Sequence, residues 1–382
     1  MRTLPTGWQR SSSLQPKASD VEIWECLHGN SRLSFPVDVL YGKPLAVLEL
    51  KRDITNDLPE RIKRVKARCK KTFSRTPERV TECPICGECA SKSQYKVSVY
   101  GGSYHECQQC FHVFVLEKRD QESLTKYYET DEDYQSTYTD KNTLDVRLET
   151  VALPKTRWVI ETYKRIFGRT PSTLLDVGAG SGHMAAAAKR LGLDVDAMEV
   201  SKSGRAFSRD VFGIDLMPDN FLSSSLGKKS YDLITFWGVI EHVPYPLEML
   251  NKARKHLTLE GGMVIAEVPR WHSLSSAIQT LHPDTVVRHL VPSEHLHIFS
   301  DSSIATSFLM SGLGPVAAWY YGMDVYETIT QLSNNYKRET TTGLNNYIEH
   351  LQPLIDVHRF ADFIALAGTT GSLGDLEKLL GP

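Results

Sequence analysis

The sequence predicts an α/β protein: a doubly wound parallel sheet fills the C-terminal part of the chain, and a small metal-stapled module precedes it. Three observations carry this. From Pro171 onward, short apolar runs alternate with stretches of helical length, the pattern that strand–helix–strand units impose on a chain. A glycine-rich motif, residues 176–182, directly follows the apolar pair Leu174-Leu175. Five of the seven cysteines crowd between residues 83 and 110 in C-x-x-C spacings, which fits metal ligation in a reducing cytosol better than a disulfide framework.

Taken in chain order, residues 21–27 (VEIWECL) and 45–50 (LAVLEL) read as short strands. Residues 61–75 (RIKRVKARCKKTFSR) are helix-compatible and densely basic, with no acidic residue. Such a stretch can touch phosphates or an anionic surface, or be a solvated connecting helix. Residues 83–115 read as a knuckle, a strand (YKVSVY), a Gly-Gly turn, and a second knuckle running into a strand (FHVFV). Residues 116–140 are polar and tyrosine-rich without a core pattern, as in a lid or linker. A helix is expected from about residue 144 to Gly168. Then STLLDVGAG is a strand ending in glycines, and HMAAAAKRLG a helix closed by Gly192. Next come a strand (LDVDAMEV), a helix (GRAFSRDVF), a short third strand (GIDL), and a strand with an active-site loop (YDLITFWGVIEHV). A helix with a basic end (LEMLNKARKHL) leads to a strand (GGMVIAEVP), and the tail adds the strands GPVAAWYYG and DFIALAG.

The 382 residues are 41% hydrophobic and 24% charged, with a formal net charge of −2. That is a globular composition, with no global electrostatic pull toward nucleic acid or membrane. No apolar run approaches the ~20 residues of a membrane-spanning helix. The first nineteen residues lack the apolar h-region of a secretory signal, so a cytoplasmic location is expected.

The turn Asp176-Val177-Gly178-Ala179-Gly180-Ser181-Gly182 lets the backbone bend sharply and approach a ligand closely. A dinucleotide fingerprint wants G-x-G-x-x-G. Here the third glycine comes one residue early and His183 stands where glycine is required, which disfavours a nicotinamide or flavin site. The D-V-G-x-G-x-G form resembles motif I of class I S-adenosylmethionine-dependent methyltransferases, over roughly residues 150–382. That resemblance implies a seven-stranded Rossmann-like sheet with the ligand at the carboxyl ends of its strands. It also implies cofactor contacts from Asp176, Gly178, Gly180, Gly182 and Trp237. Glu199, closing the next strand, is an acid placed to bind both ribose hydroxyls, and Asp219-Asn220-Phe221 stand where the family contacts adenine. The segment 237–243 (WGVIEHV) is similar to the signature after the family's fourth strand. The family often has an acid where this chain has Gly238.

Methyl transfer from a sulfonium needs proximity, alignment and sometimes a base, and histidine titrates in the right range. His242 follows Glu241 in the loop after the fourth strand. A second site, Glu294-His295-Leu296-His297-Ile298-Phe299-Ser300, resembles the E-H-x-x-x-F-S segment of the sugar C-methyltransferases and their zinc-ribbon relatives. That resemblance implies catalytic or substrate-contacting roles for Glu294 and His295. The tyrosine and histidine that commonly precede that acid are Pro292 and Ser293 here. Ser300-Asp301 reads as a helix cap. Tyr127, Tyr128, Tyr134 and Tyr138 are candidates to cover cofactor or acceptor.

Cys83-x-x-Cys86 and Cys107-x-x-Cys110, about twenty residues apart, match the spacing of a structural zinc ribbon with a tetrahedral thiolate shell. Cys89 is a spare, and His105 and His112 read as strand residues. The expected organisation is an N-terminal extension over 1–75, the ribbon over 76–116, a linker or lid over 117–150, and the methyltransferase domain over 151–382. The expected activity is methylation of a small-molecule acceptor, a sugar, nucleotide-sugar or secondary metabolite. A nucleic-acid-modifying enzyme guided by the ribbon and the basic segment is the alternative, as is a methyltransferase-like binding protein without turnover.

Overall fold

A computed structural model describes residues 4–10, 19–44, 46–56, 58–73, 78–119, 121–130, 139–336 and 344–370. Tyr134 and Tyr138 lie outside these residues.

The catalytic half builds as the alternation predicts. β7 (Thr173–Val177), β8 (Asp194–Met198), β9 (Leu233–Trp237) and β10 (Met263–Pro269) are parallel neighbours, in the order β8-β7-β9-β10. β13 (Phe363–Thr369) runs antiparallel between β10 and β12 (Gly314–Tyr321). β10 is buried along its whole length, as expected of a strand covered on both faces. Its apolar run is broken only by Glu267, near its carboxyl end.

The sheet does not stop at β12, and it has nine strands rather than seven. β1 (Pro5–Arg10), β2 (Ser19–His28) and β3 (Ser31–Tyr41) extend it, with β3 parallel to β12. On β2 and β3, Trp24, Cys26, Phe35, Val37 and Val39 turn inward at a spacing of two, so the hairpin buries one face into the main core. The extension, to which the sequence assigns no fold, is thus continuous with the catalytic sheet.

Three local readings are corrected. The run LAVLEL does not form a strand: helix α1 (Val47–Asn56) runs through it, burying Val47 and Leu50 three residues apart. The third strand expected at GIDL reduces to one bridge between Met217 and Met198. The segment read as a lid or linker without a core pattern holds helix α3 (Gln121–Thr130), anchored by buried Leu124.

The basic stretch is part of helix α2 (Leu58–Thr72). It is neither solvated all round nor wholly open to a surface. Leu58, Ile62, Val65 and Cys69 form a stripe at four-three-four spacing that packs on Val287 and Val291.

The cysteine module is a four-stranded sheet in the order β11-β6-β5-β4. β4 (Gln94–Val99), β5 (Gly102–Glu106) and β6 (Val113–Val115) come from the ribbon. β11 (His297–Ile298) comes from the insertion after β10 and pairs with β6, with His297 opposite Phe114 and Ile298 opposite Val113.

Candidate active site

The glycine turn connects β7 to helix α5 (His183–Arg190). Gly178, Gly180 and Gly182 have φ of +72°, +56° and +82°, a region closed to most side chains. A Cβ on Gly178 would lie 2.6 Å from Val239 Cγ2, and one on Gly182 2.3 Å from Ser208 Oγ. At Gly180 nothing lies within 4 Å. Two of the glycines therefore serve packing, and the middle one opens onto space.

Glu199 ties this turn to the end of β8. Its Oε2 accepts from the Gly180 N–H at 2.7 Å, and its Oε1 accepts from the Ser201 N–H at 2.7 Å. Burial raises its pKa against the pull of these backbone donors. Asp176 is buried at the end of β7. One oxygen accepts from Thr235 Oγ at 2.8 Å, while Oδ2 has no partner among the described residues. Burial pushes its pKa up to about 7. Trp237 Nε1 is likewise buried without a partner, under Lys155, whose ammonium sits 4.7 Å from the indole. Asn220 Oδ1 accepts from the Leu222 N–H, closing its own turn, and Phe221 packs edge-on against Phe236.

These groups share one cavity of about 830 Å³, lined also by Asp219, His242, Glu294 and His295. Eleven of the twelve cofactor and catalytic positions read from the sequence thus line one space; the exception is Gly182, which packs against Ser208. Lys51, Arg61, Arg64, Arg68, Arg147 and Arg288 line the cavity too. The first four come from α1 and α2 of the N-terminal extension.

His242 and His295 meet in the cavity, with ring centroids 4.6 Å apart. His242 Nδ1 lies 2.7 Å from Tyr128 Oη and 3.1 Å from the Glu294 carbonyl. Burial pulls its pKa down to about 4. His295 Nδ1 lies 2.7 Å from the His289 carbonyl, which makes it the protonated nitrogen and sets the tautomer. Burial first, then His242 and His289, hold His295 well below the usual imidazole range. Glu241 is buried beside them. Burial, reinforced by Glu267, pushes its pKa up to about 8.

Glu294 differs from the expectation of a carboxylate available for catalysis. Its Oε1 is ion-paired with Arg68 of α2 and accepts from Tyr127 Oη at 3.2 Å. It clamps the basic helix and α3 onto the histidine segment. Gly238, where the resemblance leads one to expect an acid, brings its Cα to the side of Glu241: a Cβ there would sit 3.5 Å from Glu241 Oε1.

Sequence reasoning missed Lys155, Glu267 and the arginines of α2 as cavity groups. Lys155 Nζ pairs with Glu267 Oε2 at 2.5 Å, and Tyr321 also donates to that oxygen. A lone acid inside the apolar run MVIAEVP was the available signal for Glu267, because a buried charge demands a partner.

In the ribbon, the sulfurs of Cys83, Cys86, Cys107 and Cys110 lie within 4.8 Å of one another. Cys83 and Cys110 are 3.6 Å apart, and Cys86 and Cys107 3.4 Å. Around a tetrahedral ion with Zn–S of ~2.3 Å, sulfurs sit about 3.8 Å apart, so the set fits one ion with little adjustment. Each knuckle closes through a left-handed residue, Gly87 (φ +73°) and Phe111 (φ +57°). Their N–H groups donate to the Cys83 and Cys107 carbonyls at 2.9 Å. Cys89 is exposed and outside the set. His112 is buried, its Nε2 3.0 Å from His297 Nδ1. Tyr104 of β5 donates to the His295 carbonyl at 2.9 Å, so the ribbon directly holds the segment that carries His295.

No helix among the described residues is long and apolar enough to cross a membrane. No curated protein sequence matches the chain. Among solved structures, the chain is similar to magnesium protoporphyrin IX methyltransferase from Synechocystis PCC 6803 with bound SAH. The identity is 11%, over 65% of this chain and 99% of that one, with a TM-score of 0.42. It is also similar to the plantazolicin methyltransferase BamL, at 12% identity over 65% and 93% and a TM-score of 0.43. A third is an S-adenosylmethionine-dependent methyltransferase from Clostridium acetobutylicum ATCC 824, at 11% over 58% and 93% and a TM-score of 0.39. Likeness this distant says nothing about the acceptor. Residues 155–318, which span the glycine turn, Glu199, Trp237 and both strands flanking them, match the family described as the methyltransferase domain, Methyltransf_23. Residues 155–318 thus carry the match to a methyltransferase domain, and the activity it indicates is S-adenosylmethionine-dependent methyl transfer.

Proposed function

We propose that this enzyme methylates a small anionic acceptor, a sugar or nucleotide-sugar, inside the cavity between the glycine turn and the N-terminal basic helix. One observation carries the reading. A space of about 830 Å³, within the ~300–1,000 Å³ usual for small-molecule sites, is lined both by the glycine turn with Glu199 and by cationic side chains of the N-terminal helices.

S-adenosylmethionine supplies a methyl group on a sulfonium, already activated. The chain's own residues do the rest. Glu199, held by two backbone donors, offers its remaining lone pairs to ribose hydroxyls. Gly180 admits the ligand to the backbone, and Asn220 and Phe221 border the adenine end. His295, with its proton fixed on Nδ1 by the His289 carbonyl, presents Nε2 as the acceptor of a proton from the substrate. His242 stands beside it with Tyr128 behind. Glu294 positions rather than reacts, because its oxygen is engaged by Arg68 and Tyr127. Arg61, Arg64 and Arg68 supply the fork geometry that phosphate oxygens match. The four cysteines would hold a structural Zn²⁺ that fixes the ribbon against this segment, and zinc-binding cysteine pairs of this kind suit a reducing cytoplasm.

The basic helix also favours a second reading, methylation of a nucleic acid. Production of S-adenosylhomocysteine from a panel of nucleotide-sugars, run beside RNA and DNA oligonucleotides, separates the two. Turnover with a nucleotide-sugar, lost in Arg64→Ala through a raised KM, supports the proposal. Turnover only with oligonucleotides, with affinity falling steeply with salt, overturns it.

A further inference from the structure

The geometry points to a divalent metal site formed by Glu241, His242 and His295 on the cavity floor, separate from the ribbon. One nitrogen from each imidazole and one oxygen of Glu241 lie within 4.8 Å of one another. This inference rests on the proposed placement of the acceptor in the cavity, and it names the group that meets the acceptor there.

The case begins with orientation. Metal-ligating histidines almost always engage a carbonyl or carboxylate through the ring nitrogen that faces away from the ion. Both imidazoles have this arrangement: His295 Nδ1 is 2.7 Å from the His289 carbonyl, and His242 Nδ1 is 3.1 Å from the Glu294 carbonyl. The nitrogen that remains on each ring is Nε2. His242 Nε2 stands 3.8 Å from Glu241 Oε1, too long for a hydrogen bond. It suits two ligands of one ion, since bonds of ~2.0–2.2 Å place neighbouring donors about 3–3.5 Å apart around it.

A second, independent observation concerns Glu241 itself. It is 2% exposed, and its Oε2 has no hydrogen-bond partner among the described residues. A buried carboxylate oxygen without a donor is costly, and a cation satisfies it. Its position is built rather than loose, because its carbonyl accepts from the Leu296 and His297 N–H groups at 2.9 and 3.1 Å. The β9 loop and the insertion are thereby fastened where the donors converge.

Two imidazoles and one carboxylate select a first-row transition ion over Mg²⁺, which prefers oxygen and water. Three protein ligands leave coordination positions open, the mark of a site that meets substrate. With the ion bound, His295 Nε2 would be a ligand and no longer the proton acceptor; the ion would instead lower the pKa of an acceptor hydroxyl bound to it.

The test uses the full-length chain loaded with Co²⁺, passed through a desalting column and analysed for metal, with S-adenosylhomocysteine affinity measured on the same sample. The expected result is two equivalents per chain, one with a thiolate charge-transfer band and one without. Glu241→Gln and His295→Gln each remove the second equivalent only, weakening its Co²⁺ affinity at least about 100-fold, and Tyr128→Phe weakens it about 10-fold through His242. One equivalent in the wild-type protein, all of it thiolate-bound, overturns the site whatever the variants do. Two equivalents that survive Glu241→Gln overturn it as well. Two equivalents with the expected losses, but no turnover of any acceptor, leave the metal site standing and refute the proposed function instead.

Discussion

The proposed cofactor placement puts the ribose on Glu199, and Glu199→Gln tests it with a calculable cost. In the folded chain each carboxylate oxygen already accepts one backbone N–H, from Gly180 and from Ser201, both at 2.7 Å. Only the second lone pair of each oxygen is available to the ribose. Glutamine offers one oxygen and one NH₂, so one of the two N–H groups then faces another donor. A buried donor left unsatisfied costs about 1–3 kcal/mol, and loss of the charge weakens the bonds that survive, since charge-assisted bonds are roughly twice as strong. A similar loss of about 1–3 kcal/mol toward the ribose corresponds to a 5- to 150-fold rise in the Kd for S-adenosylhomocysteine. Calorimetry gives the Kd, and urea unfolding of the same preparation separates the loop's share from the ligand's. Glu199→Asp, one methylene shorter, is expected to lose the Gly180 bond first. If stability falls as predicted but Kd stays within twofold of wild type, the ribose does not sit on this carboxylate and the cofactor placement is refuted.

Other outcomes follow from the same geometry. Gly182→Ala is expected to unfold several degrees lower than Gly180→Ala: both carry the ~1–2 kcal/mol cost of a left-handed alanine, but only the first drives a Cβ to 2.3 Å from Ser208 Oγ. Adding Ser208→Gly to Gly182→Ala should recover part of that difference, and equal melting temperatures for the two single variants would contradict the packing. Cys107→Ser is expected to release one zinc equivalent and lower turnover at least about tenfold. S-adenosylhomocysteine affinity should stay within about threefold, because the glycine turn hangs from β7 and not from the ribbon. Retained turnover with the zinc gone would count against the coupling. Asp356 is buried, and burial, against a bond from Gln352 and with Asp324 and Asp362 nearby, pushes its pKa up to about 8 from 3.8. A raised acid favours the folded state at low pH, and that advantage drains away as pH climbs from about 4 to about 8. Asp356→Asn is therefore expected to gain on wild type by a few kcal/mol between pH 5 and pH 8, read by urea midpoints; parallel curves would refute it.

The glycine turn, Glu199 and the cysteine pairs were legible because each is a local pattern whose chemistry lies within a few residues. The cap at Ser300 was legible for the same reason: its side chain accepts from the Ser303 N–H, and the Ser303 side chain returns a bond to the Ser300 N–H. The nine-stranded sheet was not legible, because the pairing of Tyr41 with Tyr320 joins positions almost 280 residues apart and no local signal specifies it. In α1 a six-residue apolar run masked a spacing of three. In α2 the stripe of Leu58, Ile62, Val65 and Cys69 was present in the sequence, but the density of Lys and Arg around it drew the reading toward a solvated face. The histidine pair was found as two separate candidates. That they converge depends on the β9 loop and the insertion being laced together at Glu241, and no spacing along the chain encodes that.

The borrowed strand β11 has a consequence for any attempt to treat the cysteine module as a portable unit. Excised, residues 78–116 would keep all four thiolates yet present the backbone of Val113–Val115 as a raw edge, ready to pair with another chain. Left in place, the same lacing makes the thiolates a remote control. Anything that spread the four sulfurs would reach the strand that carries His297, and with it the neighbouring imidazoles, through β6 rather than through the glycine turn.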